Sequence, residues 1–265
     1  MKLSAGMKIM AAFPSMTAIA VVAGFFATPA SADEQDARRI FQAMSDYLAS
    51  QTAFSFNYDA ALDLVTKEEQ TVTLASSGTA SVARPNKISA SRTGGFADVA
   101  MVFDGTTLTF IGKNANAYAE VDIPGDIDNL IDTLRDTYHR PLPAADLLMA
   151  DVNGELMPLV TDVKDLGSGV VGGVECNHLA FRTEKVDWQI WIAIGDSPYP
   201  CRYTISTKDV TGSPQYTIVI SDWKAGADAA VGDFKAVIPA GATKIDPADI
   251  ADKLPENFTL LGDAK

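Results

Sequence analysis

The residues that could do chemistry are few and scattered. His139 and His178 are the only histidines in a chain of 265 residues. His139 stands at the end of an expected helix, where a capping or surface role is typical, and His178 lies in an expected strand. The sequence has no serine-nucleophile motif, no zinc-protease motif and no glycine-rich phosphate loop. We therefore predict no catalytic residue, no metal site and no cofactor.

Carboxylates are plentiful, and one group is regularly spaced. Asp126, Asp128, Asp132 and Asp136 lie along an expected helix. Because their spacing is that of a solvated helix face, we interpret them as surface residues rather than as a calcium or catalytic site. A glycosidase-like hydrolase is a third hypothesis for this protein, since its two carboxylates need not be close in sequence. It predicts a pH-dependent turnover that single Asp or Glu replacements abolish.

The N-terminus has the three parts of a secretory signal peptide. Lys2 and Lys8 provide the positive start, an apolar run follows, and Ala30-Ser31-Ala32 forms a small-residue cleavage site. We predict a cleaved signal peptide over residues 1–32 and a single periplasmic domain over 33–265. An uncleaved membrane anchor is the alternative. No later stretch reaches ~18 uncharged apolar residues, so we expect no stable membrane insertion.

The net charge of the chain limits the classes of partner that it can bind. With 21 basic and 34 acidic side chains, the formal net charge is −13. This balance argues against nucleic acid and against adhesion to anionic membrane surfaces. It favours solubility, or a partner with a basic patch.

Cys176 and Cys201 are the only cysteines. In an oxidising compartment they would ordinarily form a disulfide, which here closes a loop of about 25 residues and contributes roughly 3–4 kcal/mol in the loop-entropy model. Two free buried thiols are the alternative. A zinc site that also used His178 would lack the usual paired ligand spacing. We predict the disulfide.

Hydrophobic periodicity predicts a mainly β (α+β) protein. Glu34 to Ser50 has an apolar stripe at helical spacing, and helical spacing returns in an insert from Asp126 to Val160. The other segments are short strand-like runs, with Asp104-Gly105 as a hairpin signal and Asp233 to Val237 as the last strand. Strands joined by short turns pair antiparallel. We expect one large curved antiparallel sheet with helices on one face.

An exported acidic protein with 47% hydrophobic residues has apolar surface to cover. Trp188 and Trp191 are three apart in one expected strand and therefore face opposite sides of the sheet. A concave apolar sheet under a helical lid can hold an apolar molecule. Helices that fill the concavity would leave no room for one, and the residue pattern is compatible with both arrangements.

Six segments of the chain have a recognisable pattern. The first three are an Arg-Pro-Asn strand end, an Asp-Gly hairpin and a final strand: Ala83–Lys87, Val102–Phe110 and Asp233–Ala242. The other three are Cys176–Phe181, Val186–Ile192 and Ser213–Trp223. The first three resemble the periplasmic carrier of outer-membrane lipoproteins, and the other three look closer still to a group of predicted periplasmic proteins of unknown function in the same superfamily. The resemblance extends over Glu34 to Asp246.

The resemblance implies an unclosed antiparallel half-barrel whose helical lid covers an apolar cavity. It also implies a lid-gating role for Arg84, which matches the arginine that bonds lid backbone groups in the carrier until acyl chains enter. A guanidinium suits this role because it has five fixed donors. A water-facing arginine at the sheet edge is the alternative for Arg84.

Our first hypothesis is a non-enzymatic periplasmic carrier or binding protein for an apolar ligand, such as a lipid, an acyl chain or a lipidated protein. A lipoprotein or another envelope protein would be its partner. The alternative is an interaction or structural protein whose cavity is filled. The candidate cavity residues are Phe54, Phe56, Met101, Phe103, Leu108, Phe110, Trp188 and Ile190.

Overall fold

The computed structural model describes residues 34–95, 97–139, 142–229 and 231–249. The predicted signal peptide, residues 1–32, lies outside the described residues. Twelve strands form a single sheet, in the order β12-β6-β5-β4-β3-β2-β1-β11-β10-β9-β8-β7, whose two end strands do not meet. The strands are β1 Ala53–Val65, β2 Thr71–Ala83, β3 Lys87–Gly94, β4 Ala97–Phe103, β5 Thr107–Gly112, β6 Ala117–Asp122, β7 Asp162–Val171, β8 Val174–Arg182, β9 Val186–Ala193, β10 Pro200–Thr207, β11 Gln215–Ala225 and β12 Thr243–Lys244.

The fold class predicted from the sequence is confirmed, with one correction to the strand directions. Apart from β12, every strand in this order, from β6 at one end to β7 at the other, pairs antiparallel with its neighbours. β12 pairs parallel with β6. The sheet is therefore mixed at this edge: β12 follows β11 in the chain but lies seven positions from it in the sheet, beside β6.

Side chains alternate between the two faces of the sheet along each strand. In β1, Phe54, Phe56 and Tyr58 point to the face that carries the helices, which we call the inner face, while Asn57 and Asp59 are exposed on the outer face. Trp188 and Trp191 do face opposite sides, as predicted. Trp188 is buried on the inner face, and Trp191 stacks on His178 on the outer face, with ring centroids 3.9 Å apart.

The helix α1, Glu34–Ser50, has the bounds predicted from its apolar stripe. Phe41, Met44 and Leu48 on that stripe are buried in the main core. The Phe41 ring lies 5.3 Å from the Phe181 ring and 5.4 Å from the Trp188 ring. α1 therefore fills the inner face over the part of the sheet formed by β7 to β9.

The described part of the helical insert contains two short α-helices and three further helical turns. Asp126 caps α2, Ile127–Asp132, by accepting a hydrogen bond from the Asn129 N–H at 2.9 Å. Asp151 caps α3, Val152–Leu156, through the Gly154 N–H. The remaining helical turns are a π-helical turn, Thr133–Thr137, and the 3-10 turns Ala145–Leu148 and Met157–Leu159.

The prediction of a last strand at Asp233 to Val237 is wrong. Residues 231–242 have no strand assignment, and Phe234 has a φ of 52°, which an extended strand does not allow. Phe234 is nevertheless buried, so its side chain serves packing although its backbone is irregular. Apolar spacing alone could not distinguish these two situations.

Within the described ranges, no helix has both the length and the apolar character needed to cross a membrane.

Candidate functional site

The inner face of β1 to β5 is organised in rows of residues that oppose one another across neighbouring strands. The register places one residue of each strand in each row. The first row is Phe54, Val82, Ile88, Phe103 and Leu108; the second is Phe56, Ala80, Ala90, Met101 and Phe110; the third includes Tyr58, Gly78, Arg92 and Val99.

A cavity of about 300 Å³ lies between these rows and the helical insert. All five residues of the second row line it, and two of them are alanines, Ala80 and Ala90, directly opposite each other. These small side chains leave space that larger ones would occupy. The roof consists of Leu134, Tyr138, Leu142, Pro143, Ala144, Ala145 and Leu148 from the insert, with Pro247 and Ala248 beside it.

The structure divides the eight candidate cavity residues into two groups. Phe56, Met101, Leu108 and Phe110 line the cavity, and Phe54 lines an adjoining space of about 20 Å³. Phe103, Trp188 and Ile190 are buried in the core and do not line it. Trp188 lies beneath α1 and stacks on Phe181 at 4.0 Å, so this part of the inner face is filled.

Arg84 connects the β2–β3 turn to the helical insert. Its Nη2 donates a hydrogen bond to the Met149 carbonyl at 3.0 Å. One residue on, Pro85 accepts a hydrogen bond from the Ile127 N–H at 2.9 Å. The insert is thus bonded to this turn at two separate points.

Asp128 completes this arrangement from within the insert. Its carboxylate accepts a hydrogen bond from the Ala150 N–H at 2.9 Å and interacts electrostatically with Arg84. Burial lowers the pKa of Arg84 and raises the pKa of Asp128, and in each case the opposite charge counteracts part of the effect. We call Arg84, Asp128, Met149 and Ala150 the Arg84 latch.

Replacing Arg84 with leucine is expected to increase opening of the insert about tenfold to a hundredfold, because a hydrogen bond to a charged group contributes about 1.5–3 kcal/mol. Hydrogen exchange at the Ile127 amide, which is bonded to the Pro85 carbonyl, measures this opening. Arg182→Leu is the matched control, since the Arg182 side chain makes an exposed ion pair with Asp187 on the neighbouring strand. Unchanged exchange in Arg84→Leu would contradict the gating role.

The third row gives the cavity a polar end. Arg92 is buried and lines the cavity on the inner face of β3. Tyr58 lies in the same row and donates its hydroxyl proton to the Ser91 carbonyl at 2.9 Å. A Cβ at Gly78, between them in the row, would overlap the Ser91 carbonyl and the Tyr58 ring, so glycine is required there for the ring to lie across the strand.

The surroundings of Tyr58 and Tyr216 shift the pKa values of both side chains. Burial raises the pKa of Tyr58 and of Tyr216, and the positive charge of Arg92 acts in the opposite direction on both. Sequence reasoning missed Arg92. The signal was present, because Arg92 falls in the apolar phase of β3 after Ile88 and Ala90.

The predicted disulfide is not formed in the structure. Cys176 and Cys201 are free, buried cysteines whose sulfur atoms lie 2.7 Å apart, beyond the 2.05 Å of a covalent bond. Burial raises the pKa of both thiols. The other interpretation drawn from the sequence, two free buried thiols, is the one that the structure has.

The remaining chemistry-bearing residues do not converge on a site. His178 stacks on Trp191, with its Nε2 2.9 Å from the Gln189 side-chain oxygen. Asp132 and Asp136 both pair with Arg135 at the surface, as a solvated face predicts, whereas Asp128 belongs to the latch. No group of three His, Cys, Asp or Glu side chains in the described part of the chain is placed to hold a metal ion.

Comparison with known proteins gives one family and several similar structures. The model of the family described as "Predicted periplasmic protein (DUF2092)" matches residues 37–247. No curated protein matches the chain. An uncharacterized conserved protein from Thermus thermophilus is 11% identical, with a TM-score of 0.47 over 80% of this chain and 99% of that one. The Mycobacterium tuberculosis lipoprotein LppX is 13% identical (TM-score 0.45; 77% and 100% covered), and LprF from Mycobacterium bovis is 11% identical (0.45; 78% and 98%).

Proposed function

We propose that this chain, which belongs to the DUF2092 family of predicted periplasmic proteins, is a non-enzymatic carrier or binding protein that holds an apolar ligand under its helical insert. Membership in this family agrees with the resemblance drawn from the sequence and with a periplasmic location. The ligand is a lipid or an acyl chain, free or attached to a lipoprotein or another envelope protein.

The observation that carries this proposal is the unfilled second row. Its apolar side chains face a space of about 300 Å³. This is many times the ~10–15 Å³ of such volume that one water molecule requires. Each methylene group buried there would contribute about 0.8 kcal/mol before the entropic costs of association. This supports one short chain, or part of a longer one.

The structure also bears on the alternative of a filled concavity. α1 fills the inner face next to Phe181 and Trp188. The insert, in contrast, covers a space rather than filling it, and hydrogen bonds at the latch hold it to the sheet. A ligand held under the insert occupies an existing space, whereas binding beneath α1 would require disrupting an aromatic core. This difference favours a container over a purely structural module.

The proposal is tested with the neutral apolar probe N-phenyl-1-naphthylamine. We expect its fluorescence to rise on binding the mature protein at one probe per chain, and 1-decanol to displace it. Native mass spectrometry should show the same stoichiometry. Both compounds are uncharged, so the result depends on the apolar cavity alone. Absence of probe binding by the folded protein would overturn the proposal.

A further inference from the structure

We propose that the ligand carries an anionic head group, a carboxylate or a phosphate, and that Arg92 binds it at the polar end of the cavity. This inference rests on the proposed function and specifies the ligand class. Of the described residues that line the cavity, Arg92 is the only charged one; the others are apolar apart from tyrosines and Ser91.

The position of Arg92 defines the orientation of the ligand. Ile88, Ala90 and Arg92 follow one another on the inner face of β3, one in each row. Since residues of a strand rise about 3.3 Å each, Arg92 lies about 13 Å along the strand from Ile88. The second row lies between them. A chain whose head group meets Arg92 would therefore extend across the alanines towards Ile88 and Leu108.

The surroundings of Arg92 suit an anion. A guanidinium forms paired, charge-assisted hydrogen bonds with the planar oxygens of a carboxylate or with a phosphate. Tyr58 and Tyr216 share this end of the cavity and stand close enough to Arg92 to interact with its charge. The Tyr58 hydroxyl donates to Ser91, which holds that ring in place beside Arg92.

The overall charge of the protein makes this placement more specific. At −13 the chain repels anions over most of its surface. Arg92, the charged residue among the described residues that line the cavity, attracts an anionic group only where the ligand's chain can also be buried. The cavity would thus select amphipathic anions over both neutral lipids and small soluble anions.

The test compares three ligands with ten-carbon chains by their displacement of N-phenyl-1-naphthylamine at neutral pH. We expect decanoate, decyl phosphate or both to displace the probe at concentrations about tenfold lower than 1-decanol, because each adds a charge-assisted bond. A preference for decanoate indicates a carboxylate as the head group, and a preference for decyl phosphate a phosphate. Equal potency of all three in the wild-type protein would overturn the inference while leaving the proposed function intact.

Variants test whether Arg92 causes the preference for anionic ligands. In Arg92→Leu the advantage of the anions over 1-decanol should disappear, and Arg92→Lys should restore part of it. Arg202→Leu is the matched control, because Arg202 lies over Trp191 on the outer face, 4.8 Å from the ring centroid. Retained preference in a folded Arg92→Leu protein, or its loss in Arg202→Leu, would contradict the assignment to Arg92.

Discussion

Replacing Ala90 with phenylalanine is expected to weaken binding of N-phenyl-1-naphthylamine at least about tenfold while leaving the protein folded. Ala90 lies in the middle of the second row, between Ala80 on β2 and Met101 on β4. Its side chain faces the cavity, so a phenyl ring would occupy the space that the ligand needs. A large side chain in a packed core is destabilising, but here the ring enters empty volume.

Probe titration measures the loss of binding, and thermal unfolding of the same samples measures any loss of stability. Ala75→Phe is the matched control, because Ala75 is exposed on the outer face of β2 and the ring would enter solvent. We expect wild-type affinity in Ala75→Phe. Wild-type affinity in Ala90→Phe would mean that the probe binds somewhere other than this cavity.

Replacing Phe41 with alanine is expected to lower the free energy of unfolding by about 3–5 kcal/mol, the range for removing a buried aromatic ring. Phe41 is fully buried and is the residue of α1 whose ring contacts both Phe181 on β8 and Trp188 on β9. Its removal leaves a void at the centre of this aromatic cluster. The helix cannot close this void without losing its other contacts with the sheet.

Urea unfolding followed by circular dichroism measures the loss. Arg39→Ala on the exposed side of α1 is the control, since it changes the helix without touching the core. It should alter stability by no more than about 0.5 kcal/mol. A loss below about 1 kcal/mol in Phe41→Ala would indicate that α1 is not the element that fills this half of the sheet.

The sequence was sufficient to predict the elements in which the apolar pattern and the signals at the ends agree. α1 has the predicted bounds, and its buried stripe runs from Ala37 to Leu48 within them. The start of the insert coincides with Asp126, whose side chain caps the first helix. The predicted strand at Asp233 to Val237 is wrong because apolar spacing indicates that Phe234 is buried but does not indicate the backbone conformation that buries it.

The candidate site was only partly predictable. Periodicity identifies the residues on the inner face, and both Phe56 and Trp188 meet that criterion. What covers each of them depends on contacts between segments far apart in the chain: α1 over Trp188, and the insert over Phe56. Arg84 was expected at the lid from the resemblance, and the structure adds its hydrogen-bond partner, the Met149 carbonyl.

The sequence by itself therefore determined the strand-rich fold class and the family resemblance, since these depend on local pattern and residue type, while the export signal at the N-terminus stays a prediction. Only the tertiary structure decided which half of the inner face is filled and which is hollow. It also decided that Arg92 faces the hollow half. The physical reason is that a cavity is a property of the packing between distant segments, and a local sequence pattern contains no record of the volume that those segments leave unfilled.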